Sequence, residues 1–326
     1  MHVIHVEGAG AHSRLVFQER PMPTCGPDDL LVRVHATALN RADLLQRKGM
    51  YPPPEGASPV LGLEMAGEVE VVGAQVRGWR GGDRVCALLP GGGYAQYVVI
   101  PARMAIPVPD RLSYEEAAAI PEVFMTAYQA LVWLGRLQAG ETVLIHAGAS
   151  GVGTAAIQMA RLLGARVYVT ASRQKHPTCL ALGAAAAIDY RDEAFDEAVM
   201  GLTNRKGVDV VLDFIGADYF ERNVESLGMD GRLVILALMG GSRVESISLR
   251  HLFRKRLQIL CSTLRNRSAD YKAELTRAFC ADMLPRIQEG HLVPVIDTVY
   301  DWSDVEAAHS RMEANLNTGK LVLRVT

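Results

Sequence analysis

The sequence predicts an α/β protein: a doubly wound parallel sheet, preceded by a β-rich domain. Three observations carry this. Residues 140–262 alternate strand-length apolar runs with segments of helical spacing, an order that implies a parallel sheet covered on both faces. Residues 139–175 contain one complete strand–turn–helix–strand unit. Residues 1–110 carry short β-prone runs broken by Gly, Pro and Asp at turn-like intervals, which favours a small barrel or sandwich.

Taken in order, the first strands are expected at Val3–Val6, Leu15–Phe17, Leu30–Ala36, Gly67–Val72, Arg84–Leu88 and Tyr94–Ile100. Pro52–Pro54 and Gly91–Gly93 mark loops. Ser113 with Glu116 three residues on is a capping box and opens a helix through Ala119. Pro121 interrupts it, and Thr126–Leu134 resumes helical spacing, so a domain boundary is placed near residue 120. Val143–Ile145 is a strand, a glycine-rich turn follows, Thr154–Leu163 is a helix closed by Gly164, and Arg166–Thr170 is the next strand. Further strands are expected at Ala186–Asp189, Val208–Leu212, Leu233–Leu236 and Gln258–Cys261. Residues 268–290 read as one long helix, and the tail adds a strand, a helix near Ser303–Ala314 and a last strand Lys320–Val325.

The turn between the first two parallel strands holds Gly148, Ser150 and Gly153 at the three positions of the dinucleotide fingerprint, with Gly151 added. Such a turn delivers the chain to a helix N-terminus, where free N–H groups and the helix dipole attract phosphate. The alternative is a merely structural glycine-rich turn, since such turns are common. About 20 residues further on, where an NAD site wants an acid, stand Ala171, Ser172, Arg173, Gln174 and Lys175. A hydroxyl and two cations suit a 2′-phosphate and favour NADPH, although a solvated basic turn would look the same. Ligands of such sheets sit at the carboxyl ends of the strands, where Tyr190, Phe214 and Ala237–Met239 fall.

Bulk properties exclude several function classes. Of 326 residues, 49% are hydrophobic and 21% charged, an ordinary globular mix. A net charge of −2 offers no field to recruit nucleic acid or anionic membrane. The five cysteines are scattered with no C-x-x-C pair, which fits a reduced, cytoplasmic chain. No signal peptide and no run of 18 apolar residues is present.

The segments Ala38–Pro54, Leu61–Val69, Leu88–Val98, Ile145–Gln158, Met239–Arg243 and His309–Leu323 together make the chain resemble a medium-chain dehydrogenase/reductase, and more narrowly a zeta-crystallin-like, zinc-independent quinone oxidoreductase. The resemblance implies a GroES-like β-barrel domain over residues 1–120, completed by residues 266–326, and a Rossmann NADPH-binding domain over 121–265, with a cleft where they meet. It implies NADPH as reductant, a small quinone as acceptor, and a homodimer or homotetramer. Zinc-dependent relatives carry a Cys and a Gly-His-Glu motif where this chain has Asn40 and Gly62-Leu63-Glu64, so no metal is expected and Glu64 is read as structural.

Carried over residue by residue, the resemblance puts Tyr51 at the acceptor, its hydroxyl facing a quinone oxygen, and Asn40 beside the nicotinamide or quinone. Thr126 and Tyr128 would meet the nicotinamide half, and Ser150, Gly151, Val152 and Gly153 would cradle the pyrophosphate. Ser172 and Lys175 would take the 2′-phosphate, with Arg173 helping and Tyr190 near the adenine or ribose. Leu238 and Met239 would flank the nicotinamide ribose, Leu264 and Arg265 would give backbone contacts, and Asn317 and Lys320 would reach back to the cofactor from the tail. Two rival functions stay open: reduction of a conjugated double bond in an alkenal or enone, and a non-catalytic NADPH-binding structural or RNA-binding protein. The charge balance and the lack of an aromatic–basic cluster argue against nucleic acid as the main partner.

Overall fold

A computed structural model describes residues 1–8 and 10–326, and the side chain of Ala11 lies outside the described set. The chain divides into two compact units, Met1–Met125 with Leu264–Thr326, and Thr126–Thr263.

The first unit begins with the hairpin β1 (His2–Glu7) and β2 (Arg14–Glu19). Then come β3 (Asp29–Ala38), helix α1 (Arg41–Arg47), β4 (Glu64–Val72), β5 (Arg84–Leu88), β6 (Tyr97–Pro101), β7 (Ile106–Pro107), α2 (Tyr114–Ala118) and α3 (Pro121–Tyr128), the last running across the division. In β3 the side chains of Leu30, Val32, Val34, Ala36 and Ala38 are buried on one face, and on the other Leu31 and Thr37 are buried too while Arg33 is exposed, so only the middle of the strand is open on one side. Gly67 of β4 lies so close to β3 that a Cβ would stand 2.0 Å from the Arg33 carbonyl oxygen, so only glycine fits. The expected capping box is present: Ser113 Oγ accepts the Glu116 N–H at 3.1 Å and Glu116 Oε2 accepts the Ser113 N–H at 2.8 Å. Pro121 does not break this helix but starts the next, at the first position, where its missing N–H is harmless.

The second unit holds β8 (Thr142–Ile145), α4 (Gly151–Leu162), β9 (Arg166–Thr170), α5 (His176–Ala181), β10 (Ala186–Ile188), α6 (Phe195–Leu202), β11 (Val208–Asp213), α7 (Ala217–Ser226), β12 (Leu227–Ile235), α8 (Leu249–Lys255) and β13 (Gln258–Cys261), preceded by a π-helical stretch, Gln129–Leu134. Its strands are all parallel, in the order β10-β9-β8-β11-β12-β13. Val143, Leu144, Ile145, Val210, Val211 and Leu212 are fully buried, as strands covered on both faces must be. The order reverses between β8 and β11, which makes their carboxyl ends the switch point. This is the doubly wound Rossmann sheet expected from the sequence.

The tail returns to the first unit. It contains α9 (Ala269–Asp282), α10 (Leu284–Gln288), β14 (Ile296–Asp301), α11 (Val305–Glu313) and β15 (Lys320–Arg324). One sheet runs β14-β15-β3-β4-β5-β7, and β3 pairs β6 along Asp29–Arg33 before pairing β15 along Ala36–Ala38. The single helix expected over 268–290 is two: the turn breaks at Met283, and Pro285, which has no N–H to donate, sits in the first turn of α10. Helix α4 starts three residues earlier than expected, because Ser150 caps it. Among the described residues no helix is long and apolar enough to cross a membrane.

Candidate functional site

Two constellations stand out, one in each unit. In the second unit, β8 ends at Ile145 and the chain turns through Ala147, Gly148 and Ser150 into α4. A Cβ on Gly148 would stand 2.6 Å from the Val169 side chain, and one on Gly153 would stand 2.3 Å from the Ala147 carbonyl oxygen. The two glycines therefore let the turn press against β9 and let the helix start against the turn. Ser150 Oγ accepts the Gly153 N–H at 3.0 Å. The N–H groups of Gly151 and Val152 have no acceptor among the described residues, which leaves a helix N-terminus whose donors fit a phosphate.

Beyond β9, Ser172 is buried and the three residues after it form one tight turn, closed by the Lys175 N–H donating to the Ser172 carbonyl at 2.8 Å. Arg173 is not a freely offered cation. Its guanidinium donates to Asp192 at 3.0 Å and to Asp189 at 3.4 Å, and its N–H also donates to Asp189, at 3.2 Å. Burial pushes the Asp189 carboxyl up, but hydrogen bonds from the Arg191 N–H and from Arg173 outweigh it and hold the group below its ordinary value. Tyr190 follows β10, half-exposed, with the Arg191 guanidinium 5.6 Å from its ring centroid. Leu238 and Met239 are exposed in the loop after β12, where the Met239 N–H donates to the Phe214 carbonyl. Thr126 is partly exposed on α3, whereas Tyr128 is buried with its ring edge-on to Trp133.

The first unit gathers buried charge around Asn40 and Glu64. The Lys320 ammonium donates to Glu64 Oε1 at 2.6 Å, to the Leu39 carbonyl at 2.7 Å and to Asn40 Oδ1 at 2.8 Å. Asn40 Nδ2 donates to Glu64 Oε1 at 2.8 Å, and Glu64 Oε2 accepts the Glu122 N–H at 2.8 Å. Asp43, at the start of α1, accepts the N–H groups of Asn40 and Gly62. Burial pushes the Asp43 carboxyl up to about 6, and burial together with the Glu64 charge pushes that of Glu122 up to about 8. Tyr51 lies beside this cluster, half-buried, with the Arg265 guanidinium 5.2 Å from its ring centroid. Arg265 is itself buried and donates to the Pro90 carbonyl at 2.8 Å, to Gln46 Oε1 at 2.6 Å and to the Tyr51 carbonyl at 3.3 Å. Leu264 before it is buried, and Asn317 turns its amide to the Gly319 carbonyl at 2.8 Å.

Two of the expected site residues are already engaged within the chain. Lys320, expected to reach a cofactor from the tail, spends all three ammonium protons on Glu64, Asn40 and Leu39. Arg173, expected as a partner of the 2′-phosphate, is bound to Asp189 and Asp192. Glu64 is fully buried and bonds three groups, a structural role. Its neighbourhood does not fit zinc: Leu63 offers no donor, Asn40 and Glu64 are engaged by Lys320, and among the described residues no three His, Cys, Asp or Glu side chains form a metal-holding group. Sequence reasoning missed Glu122 and the buried His146, whose partners are distant in sequence, and Asp43, which caps α1 together with Asn40.

Two family profiles match the chain: the alcohol dehydrogenase GroES-like domain over residues 26–110, and the zinc-binding dehydrogenase over residues 151–279. The human synaptic vesicle membrane protein VAT-1 homolog is 32% identical over 97% of this chain and 84% of its own. Among solved structures, an NAD-dependent alcohol dehydrogenase is 34% identical with a TM-score of 0.89, covering 100% of both chains. A mycobacterial protein complexed with NADPH is 30% identical with a TM-score of 0.88, and a quinone oxidoreductase of Pseudomonas syringae pv. Tomato DC3000 is 30% identical with a TM-score of 0.87, each over 99% of this chain and 100% of its own.

Proposed function

Because this chain belongs to the medium-chain dehydrogenase/reductase family, we propose that it is an oxidoreductase that reduces small quinones with NADPH and without zinc. The observation that carries this reading is the Lys320–Asn40–Glu64 cluster. Where zinc relatives would polarise a carbonyl, this chain presents an ion pair closed on itself. An acceptor that needs no Lewis acid must already be electrophilic, and a quinone is. The quinone oxidoreductase among its structural relatives supports the same substrate class.

NADPH fits the second unit. The Gly148–Gly153 turn and the open N–H groups of Gly151 and Val152 suit a pyrophosphate. Ser172 and Lys175 suit a 2′-phosphate, with Tyr190, Leu238 and Met239 placed along the same strand ends. When bound, the cofactor supplies a hydride. The chain's own share is to hold the reactants in place and to present the Tyr51 hydroxyl to the acceptor oxygen. The edge strand β13, with Ile259 and Cys261 exposed, and Leu249 and Phe253 exposed on α8, support self-association as a homodimer or homotetramer.

The deciding experiment compares steady-state NADPH oxidation with 1,2-naphthoquinone and with an alkenal. A faster rate with the alkenal overturns the quinone assignment in favour of double-bond reduction, and no oxidation above a heat-killed blank with either leaves only a binding protein. Two substitutions refine the reading. Lys175→Ala with Arg173→Ala is expected to weaken NADPH binding by about 10–100-fold, the loss of roughly 1.5–3 kcal/mol of charge-assisted bonding, while NADH binding stays within about twofold. Equal losses for both cofactors in titration calorimetry would place the phosphate elsewhere. Tyr51→Phe should lower kcat/KM for the quinone about fivefold, the worth of roughly 1 kcal/mol of hydrogen bond, with NADPH affinity unchanged. Unaltered quinone kinetics would remove Tyr51 from the chemistry.

A further inference from the structure

Under the glycine-rich turn runs a chain of buried polar side chains that the proposed reaction does not use. His146, the residue after β8, is fully buried. Its Nδ1 lies 2.9 Å from Thr170 Oγ1 at the end of β9, and its Nε2 lies 2.6 Å from Asn223 Oδ1 on α7. The His146 backbone N–H in turn donates at 3.0 Å to the carbonyl of Leu212, the residue before Asp213 at the end of β11. Asp213 Oδ1 accepts the Ile215 N–H at 2.8 Å and Oδ2 accepts the Gly216 N–H at 3.0 Å. All four side chains are buried, and Thr170, His146 and Asp213 sit at the carboxyl ends of three adjacent strands, β9, β8 and β11.

The protonation pattern is fixed by chemistry. Burial pushes the His146 imidazole down to about 4, with the Arg222 charge adding to the shift, so the ring is neutral at physiological pH. A neutral ring donates from one nitrogen and accepts at the other. Asn223 Oδ1 only accepts, so Nε2 carries the proton and Nδ1 accepts from the Thr170 hydroxyl. Asn223 Nδ2 is then left buried without a hydrogen-bond partner among the described residues.

Each end of this chain meets a backbone that needs holding. Ala147, next to His146, has φ = +48°, a left-handed conformation that costs a non-glycine residue about 1 kcal/mol or more. The Ser150 N–H donates to its carbonyl at 2.8 Å, and the Gly148 N–H donates to the Thr170 carbonyl at 2.9 Å. The shape of the phosphate turn thus depends on Ala147 staying where it is. At the other end, the Ile215 and Phe214 carbonyls accept the Gly240 and Met239 N–H groups, so the loop that Asp213 braces also carries Leu238 and Met239.

We propose that Thr170, His146, Asn223 and Asp213 form a positioning clamp that holds Ala147 left-handed and sets the Gly148–Gly153 turn and the Leu238–Met239 loop in one register, ready for the two halves of a dinucleotide. The clamp rests on the NADPH reading for its ligand but not for its structural action. None of its members touches the reacting atoms. Its effect falls on nucleotide binding and leaves the chemical step alone.

The test uses the full chain. Thr170→Val keeps the shape and removes the hydroxyl, Thr170→Ser restores it, and Ala147→Gly removes the cost of the left-handed conformation. In nucleotide-free protein, Thr170→Val should speed amide hydrogen exchange at least fivefold at Gly148–Gly153 and at Ile215–Gly216, and Thr170→Ser should not. In turnover, Thr170→Val should raise KM and the Kd for NADPH about tenfold with kcat within about twofold. The pair Thr170→Val with Ala147→Gly should recover most of that affinity. Unchanged exchange at both loops in Thr170→Val, or no recovery with glycine at 147, overturns the clamp. A wild type that binds no NADPH overturns the cofactor reading instead, and the exchange measurement still decides the clamp.

Discussion

Lys320→Met is expected to destabilise the first unit by about 3–5 kcal/mol, the usual cost of removing one partner from a buried ion pair. The physical reason is an uncompensated charge. Glu64 and Lys320 are both almost wholly out of water, at 0% and 3% of side-chain exposure, so the carboxylate left behind has neither counter-charge nor solvent. Asn40 Oδ1 and the Leu39 carbonyl lose their donor in the same step. Replacing both partners, as Glu64→Gln with Lys320→Met, should recover more than half of the loss, because a neutral amide does not need the ammonium. Urea unfolding of the wild type, Lys320→Met, Glu64→Gln and the double variant closes the cycle. A single-variant loss below about 1 kcal/mol would show that the pair is not what neutralises Glu64.

Glu122→Gln is expected to make stability less sensitive to pH. Burial and the nearby Glu64 charge raise the Glu122 carboxyl from 4.5 to about 8, opposed by Lys320 and Arg265. The native state therefore holds a proton that the unfolded chain releases near 4.5. Between those values the folded protein binds more protons, so stability falls as pH rises from about 4.5 to about 8. At pH 8.5 the wild type would carry a charge among Glu64 and Asp43, and the glutamine variant would not. Glu122 is partly exposed as a residue, so solvent screening discounts the full linkage value to on the order of 2–3 kcal/mol. The variant should exceed the wild type by that amount at pH 8.5 and match it within about 1 kcal/mol at pH 5. Parallel denaturation curves at pH 5, 6.5 and 8.5 test this, and identical pH slopes would mean that Glu122 is already ionised at neutrality.

What could be read from the sequence was local. The βαβ unit is legible because β-branched runs, a glycine cluster and helical spacing all fall within residues 139–175, and each acts over a few residues. The Ser113–Glu116 capping box is legible for the same reason. The charge cluster is not. Lys320 and Glu64 are separated by 256 positions, so neither residue announces the other, and a lysine in a tail motif reads as a ligand contact. His146 looks like the last residue of an apolar strand, since its partner on α7 lies 77 positions away. Arg173 is a cation in the expected turn, and its ion pair with Asp189, 16 positions on at the end of the next strand, is not legible from the turn alone. Pro285 was a readable warning that one helix would be two, because an interior proline removes a donor.

Strand β15 closes against β3, Val322 opposite Ala38, so the first unit is sewn shut by residues made after the whole of the second. On the ribosome, Thr126–Thr263 emerges as one uninterrupted stretch and has every strand of its own sheet in hand while Ala36–Ala38, already beside β4, still waits for its second neighbour. Closing a loop of that size is slow, and the half of β3 that awaits β15 remains an open, adhesive rim in the meantime. The unit with the parallel sheet is therefore complete in sequence before the unit that carries Tyr51, and the vulnerable interval falls between the synthesis of β13 and that of β15.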